Sequence, residues 1–320
     1  MFNEKKTEEK KDLSKIIPHV LLCYDGSPSS YRALSYLKQV FHQTEIDITI
    51  LKLIEHPDIG SLQWETSLIK KFKKEEEIEK RAREVFLNAE KELKEVANSL
   101  EKYVKGKVSF KVQFRVGHLA DDILRVAREN LFDTIVVGRR GLSKLSTYFI
   151  GGVTHRLLER CCIPVWLIRG EQWNKKFLVG LDLGEMGLKV VDYVSFILSF
   201  HPEAEITFFH IFYPFSSNQT FEGSFVEALK KITHPEYQDF LVKANNLLVE
   251  NGLDNKRVKL VMKRGLFGPA GEIIKMAKKE GYSNIVLGRR GRGGLTKLFL
   301  GSVSHKVATY FEDRAVWLVI

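Results

Sequence analysis

Cysteine is scarce in this sequence: Cys23, Cys161 and Cys162 are the three in 320 residues. An odd total with two adjacent members makes a poor disulfide framework. That excludes a stapled secreted scaffold and fits a reducing cytoplasm. Cys161 and Cys162 precede the apolar run Ile163–Ile168 and read as small buried hydrophobes. Long apolar runs are missing as well, and none approaches the roughly eighteen residues of a membrane-spanning helix. The opening MFNEKKTEEKKDLSK has no apolar segment, so residues 1–17 read as a solvated tail rather than a secretory signal. No Gly-x4-Gly-Lys-Ser/Thr loop, His-Glu-x-x-His or Cys-x-x-Cys occurs. No nucleophile, base and orienting group can be assembled from spacing, so no catalytic residue and no metal ligand is assigned.

Charge of one sign is in excess, with a formal net charge of +10. Much of it is interleaved with Glu, as in Lys70-Lys71-Phe72-Lys73-Lys74-Glu75-Glu76-Glu77, which is the pattern of a solvated helix face. No basic motif with interleaved aromatics is present, which argues against nucleic acid as a partner. The hydrophobic content of 44% and charged content of 28% are those of a globular protein. The length suits two domains.

What the chain does have is one segment twice. Residues 134–155 read TIVVGRRGLSKLSTYFIGGVTH, and residues 284–305 read NIVLGRRGRGGLTKLFLGSVSH. Each is an apolar strand, a Gly-Arg-Arg-Gly turn, nine residues, and a glycine that opens a helix. The repeat extends outward. His19–Tyr24 and Phe177–Leu181 are first strands, followed by helices over Tyr31–Phe41 and Gly187–Phe200. Ile46–Ile54 and Glu205–Phe212 are second strands, and long helices follow over Ile69–Tyr103 and Phe225–Glu250. Third strands at Val108–Val116 and Val258–Met262 lead into helices Asp121–Glu129 and Gly271–Lys279. Fourth strands then enter the repeated loop, and final strands close each copy at Val165–Ile168 and Val316–Val319. The order βαβαβαβαβ, twice, predicts two tandem doubly wound α/β domains, each a five-stranded parallel sheet with helices on both faces. The domains are placed at 18–170 and 171–320, joined by the polar segment Arg169–Asn174 and packed as an intrachain pseudo-dimer.

In an open α/β sheet, ligands bind at the carboxyl ends of the strands where strand order reverses. Three features fall there: the turn Gly138-Arg139-Arg140-Gly141 and its partner at 288–291; Gly151-Gly152 and Gly301-Ser302 at a helix start; and Asp25 and Asp182 after the first strands. Glycines allow close backbone approach, and a helix N-terminus offers free amides and partial positive charge to a phosphate. Arg139, Arg140, Arg289 and Arg290 add charge. A carboxylate after strand one suits ribose hydroxyls. Taken singly, each reads more often as a turn, an N-cap, or an arginine that is solvated or binds the neighbouring domain. His155 and His305 recur at equivalent positions and read as packing or interface histidines; Trp166 and Trp317 read as core or inter-domain packing.

The spacing Gly-x2-Gly-x9-Gly, found twice after a fourth strand, resembles that of the universal stress protein family, whose nucleotide-binding members carry Gly-x2-Gly-x9-Gly-Ser/Thr and a first strand ending in Asp-Gly-Ser. The resemblance covers the chain after residue 17. It implies a five-stranded α/β fold, pairing through the last strand, and ATP as ligand in many but not all members. In the second copy it implies Gly288, Arg289, Gly291, Gly301, Ser302 and Val303 at ribose and phosphates, Asp182 as the strand-one acid and Ile211 beside adenine. In the first copy the matching residues are Gly138, Arg139, Gly141, Gly151, Asp25 and Leu53, with Gly152 replacing the hydroxyl residue. A hydrogen bond to a charged group contributes about 1.5–3 kcal/mol, so the second copy is the expected better site. The implied protein is a cytoplasmic stress-response regulator that binds ATP, with or without Mg2+, pairs with an unidentified protein and is a candidate homodimer. A scaffold with degraded sites and a weak ATPase are the alternatives. Leu183-Gly184 and Gly152 favour the scaffold.

Overall fold

The structure, a computed structural model, describes residues 16–57, 68–139, 152–212, 220–289 and 300–320. The expected tail therefore falls outside it, residues 16 and 17 excepted. The first copy runs β1 (His19–Cys23), α1 (Pro28–Val40), β2 (Asp47–Ile54), α2 (Leu68–Glu101), β3 (Val108–Phe114), α3 (Leu119–Glu129), β4 (Thr134–Gly138), α4 (Gly152–Arg160) and β5 (Val165–Ile168). The second runs β6 (Lys176–Leu181), α5 (Glu185–Ser199), β7 (Glu205–Phe212), β8 (Phe221–Gly223), α6 (Phe225–Lys231), α7 (Pro235–Glu250), β9 (Val258–Arg264), α8 (Gly268–Lys279), β10 (Asn284–Gly288), α9 (Ser302–Tyr310) and β11 (Ala315–Val319).

Local chemistry explains the boundaries. Ser27 caps α1 by accepting the Ser30 amide at 3.3 Å, and Pro28 occupies the first helical position, so the helix starts before Tyr31. The spacing predicts one helix over 225–250, but the chain forms two. Pro235 has no amide to continue the first helix, so it opens α7 instead, while Ser224 and Glu227 form a capping box on α6. The short β8, which pairs antiparallel with β9 at the sheet edge, has no counterpart among the described residues of the first copy.

The strands form one sheet in the order β3-β2-β1-β4-β5-β11-β10-β6-β7-β9-β8. Each copy supplies five parallel strands, and β5 pairs antiparallel with β11, setting Trp166 opposite Trp317. Both strands are buried along their length, as continuous apolar runs covered on both faces should be. Two apolar layers cover the sheet. One holds Leu37 of α1, Leu93 of α2, Val194 of α5 and Leu241 of α7; the other holds Leu124 of α3, Leu157 of α4, Ile273 of α8 and Val307 of α9. Each layer runs through the seam without interruption.

The seam is built by the two tryptophans, whose rings stack 3.9 Å apart and 5° from parallel. Each indole then donates across to the other copy's first helix: Trp317 Nε1 to the Tyr36 hydroxyl at 3.0 Å, and Trp166 Nε1 to the Tyr193 hydroxyl at 2.8 Å. Tyr36 donates onward to Asn284 Oδ1 at 2.8 Å, and Tyr193 bonds Thr134. Asn284 and Thr134 open equivalent strands, so the network is reciprocal, and the buried polar atoms in it have partners.

Candidate functional site

The sheet order reverses between β1 and β4 in the first copy and between β6 and β10 in the second. The strand registers bring the expected residues together there. Cys23 is opposite Leu51 and Val137, so continuing the ladders aligns Asp25 with Leu53 and Arg139. In the second copy Leu181 is opposite His210 and Gly180 opposite Leu287, which aligns Asp182 with Ile211 and Arg289. Gly141, Gly151, Gly291, Arg140 and Arg290 lie outside the described residues.

The two strand-one acids stand in different environments. Asp25 is exposed, and its Oδ1 accepts the Ser27 amide at 2.9 Å, forming a side-chain turn before α1. Gly26 sits at φ +79° within that turn, a conformation open chiefly to glycine. Asp182 precedes Gly184, which has no side chain to cap α5. The Asp182 Oδ1 atom is buried, with no hydrogen-bond partner among the described residues. Gly187 presses on the same acid, since a Cβ there would lie 1.8 Å from the Asp182 carbonyl oxygen.

The helix starts also differ. In the second copy the Gly301 amide donates to the Arg289 carbonyl at 2.7 Å, and Ser304 Oγ donates to the Gly288 carbonyl at 2.6 Å. Ser302 is exposed at the first position of α9, and no side chain among the described residues caps that end. Val303 packs on the core beside it. In the first copy Gly152 is exposed, with open space where a Cβ would stand. Gly138 has a packing reason of its own. A Cβ there would lie 1.7 Å from the Ser29 carbonyl oxygen, so β4 touches the first turn of α1 only because it is bare.

The arginines take the inter-domain course. Arg139 is buried, and its Nη1 donates to the Ala308 carbonyl at 2.8 Å, in the last turn of α9 of the other copy. Arg289 reciprocates: its Nη1 donates to the Leu158 and Cys161 carbonyls at 3.0 and 2.9 Å, at the end of α4. Each cation therefore sits at the negative end of a helix dipole belonging to the other domain. Burial, then the neighbouring Arg169, lowers the Arg139 pKa to about 10, which leaves it charged at neutral pH. Arg169 is buried alongside and donates to the Phe311 carbonyl at 2.8 Å.

Other expectations resolve plainly. Cys161 is buried but Cys162 is exposed, because it lies in the turn between α4 and β5. His155 faces Glu159 at 3.5 Å on the surface of α4, and His305 is exposed on α9, so neither is a core histidine. Two buried carboxylates escaped the sequence reading. Asp122 accepts the Val116 and Gly117 amides at 3.0 and 3.1 Å, and Glu272 accepts those of Leu266 and Phe267 at 3.0 and 3.3 Å. They occupy equivalent positions and tie down the turn after each third strand. Burial disfavours the charged form of Asp122, but these amides and Arg125 outweigh it and hold the acid below the usual carboxylate range. Their shared offset within the repeat was the available signal.

Two doubly wound units joined edge to edge, each with a switch point where its sheet order reverses, place the molecule in the tandem doubly wound α/β class. The family model described as the universal stress protein family matches residues 17–169 and again 174–312, and the chain belongs to that family. Universal stress protein YxiE of Bacillus subtilis is 30% identical over 139 residues, 42% of this chain and 90% of that protein. Universal stress protein MJ0531 of Methanocaldococcus jannaschii is 28% identical over 139 residues, 43% of this chain and 78% of that protein. A crystal structure of a universal stress protein from Archaeoglobus fulgidus shares the fold along 94% of this chain and 95% of its own, with a TM-score of 0.55 at 19% identity. Among the described residues no helix is long and apolar enough to cross a membrane.

Proposed function

We propose that the chain binds adenine nucleotide, ATP with or without Mg2+, chiefly at the second switch point, and that occupancy serves regulation rather than turnover. The observation that supports this most is the buried Asp182 Oδ1, which lacks a donor among the described residues. A buried acceptor left unsatisfied costs about 1–3 kcal/mol, and a ribose hydroxyl is the donor it suits. Ile211 lies next to Asp182 in register and offers an apolar flank for a base. The uncapped start of α9, with the Ser302 hydroxyl, offers amides and partial positive charge to phosphates. When bound, the nucleotide supplies polyanionic charge, and the residues of this chain hold and orient it. The first site is weaker on this reading: Asp25 is exposed with one oxygen already engaged, and Gly152 has no hydroxyl.

Regulation requires that nucleotide favour one conformation or partner over another. A cytoplasmic location and an unidentified protein partner belong to the same proposal. The scaffold reading has one observation in its favour: Arg139 and Arg289 direct guanidinium groups at the opposite domain, so that charge is committed to the seam. Titration calorimetry of ATP and Mg2+ into the full chain separates the two. The nucleotide reading expects one strong binding event per chain ahead of any weaker second. No heat, with no nucleotide co-purifying by native mass spectrometry, supports the scaffold. Phosphate release that disappears in a Gly301→Val variant supports the weak ATPase.

A further inference from the structure

The duplicated helices α3/α4 and α8/α9 have diverged at three positions that act together. In the first copy Asp121 of α3 accepts Arg156 Nη2 at 2.8 Å and Arg160 Nη1 at 3.0 Å, which ties α3 to α4. The hydrogen bond from Arg156, reinforced by both positive charges, holds the Asp121 carboxyl below the usual carboxylate range. In the second copy the same positions are Gly271, Lys306 and Tyr310. The acid at the centre of the bridge is gone, and a cleft of about 650 Å³ stands between α8 and α9. That is within the range of about 300–1,000 Å³ for small-molecule sites.

Its walls are apolar: Phe267, Ile274, Val303 and Tyr310 line it. Phe267 is 69% exposed and Tyr310 48%, so two aromatic faces stand in solvent. A Cβ on residue 271 would lie 2.9 Å from the Phe267 Cβ, so the loss of Asp121's counterpart also lets Phe267 stand where it does. The polar lining is Ser302, His305, Lys306 and Thr309, with no acid among the described residues that line it. Lys306 has no ion-pair partner among the described residues, whereas its counterpart Arg156 has Asp121. Two further ammonium groups flank the walls: Lys275 Nζ is 5.4 Å from the Phe267 ring centre, and Lys278 Nζ 4.7 Å from that of Tyr310. The nearby Glu272 carboxylate is turned inward onto the Leu266 and Phe267 amides.

We propose that this cleft binds a small amphipathic anion, with an aromatic or medium-length aliphatic body carrying one carboxylate, sulfonate or phosphate. Aromatic walls take the body, and the Lys306 ammonium takes the charge. Ser302 and Val303, at the start of α9, are shared with the proposed phosphate site, and the rest of the lining lies outside it.

The test is fluorescence titration of the full chain with 8-anilinonaphthalene-1-sulfonate, with and without ATP. One saturable site is expected, displaced by decanoate and not by decyltrimethylammonium. Lys306→Glu and Phe267→Ala, both on the surface, should each weaken the probe about tenfold or more while leaving the thermal midpoint in place. Gly271→Asp with Tyr310→Arg, which transplants the first copy's bridge, should close the site. Binding unchanged in both single variants, equal displacement by the cationic amphiphile, or displacement in step with ATP occupancy overturns the proposal. Asp182→Asn distinguishes the two sites, because it should weaken ATP and leave the probe unaffected.

Discussion

Stability of the seam should fall between neutral pH and pH 5, and one residue accounts for a defined part of the loss. His201, in the turn after α5, is fully buried, and its Nε2–H donates to the Val40 carbonyl at the end of α1, across the two copies, at 2.5 Å. Its Nδ1 accepts the Glu203 amide at 3.3 Å, so the ring is held as a neutral tautomer. Burial lowers its pKa from 6.5 to about 4; the Val40 bond opposes this, and the Lys175 and Arg257 charges add to it. The unfolded chain therefore takes up a proton below pH 6.5 that the folded chain refuses until about pH 4. The contribution to stability is complete above 6.5 and is lost as pH falls through that window. Linkage puts the loss at about 2 kcal/mol by pH 5 and about 3 kcal/mol below pH 4. Urea unfolding at pH 7.5 and 5.0 measures it, with His201→Gln as the reference. That variant should be less stable at pH 7.5 but should lose about 2 kcal/mol less on acidification, since carboxylates such as Asp122 titrate in both proteins. Equal losses in the two proteins would refute the assignment of a buried neutral His201.

The reciprocal arginines give a second test: Arg139→Ala and Arg289→Ala should each cost about 1.5–3 kcal/mol in urea unfolding. The two cap separate helices, so the double variant should be close to additive, within about 0.5 kcal/mol. Gly138→Ala should destabilise by about 3 kcal/mol or more in the same assay, with or without nucleotide, because its Cβ meets the Ser29 carbonyl oxygen at 1.7 Å. Gly152→Ser has open space and should leave stability within about 0.5 kcal/mol. It should also strengthen ATP binding at the first site by up to about tenfold, read by calorimetry.

Much of the architecture is written in local pattern. The apolar runs at Val165–Ile168 and Val316–Val319 are set by residues within their own segments, and the repeat checks each against a second copy. Pro235 stands in the sequence too, but the helical spacing on either side of it predicts one helix over 225–250 where two form. What could not be read depends on the other copy. The direction of the Arg139 and Arg289 side chains is set by where the opposite helices end, which no loop spacing encodes. Tyr36 and Tyr193 look like ordinary apolar-face residues until the seam brings an indole to each. The contrast between Asp25 and Asp182 was half legible. Loss of Gly-Ser after Asp182 counts against the second site, yet Leu183 does not take the left-handed conformation of Gly26 that shapes the turn at Asp25, and one Asp182 oxygen is left buried without a donor among the described residues.

That oxygen carries the central claim, and paired calorimetry tests it most directly. ATP and Mg2+ are titrated into the full chain, into Asp182→Asn and into Asp25→Asn, with circular dichroism to show that all three are folded. The account predicts that Asp182→Asn removes the strong event, weakening it about tenfold or more, while Asp25→Asn leaves it in place. An Asp182→Asn chain that binds ATP as the parent does, or a larger loss from Asp25→Asn, would contradict it.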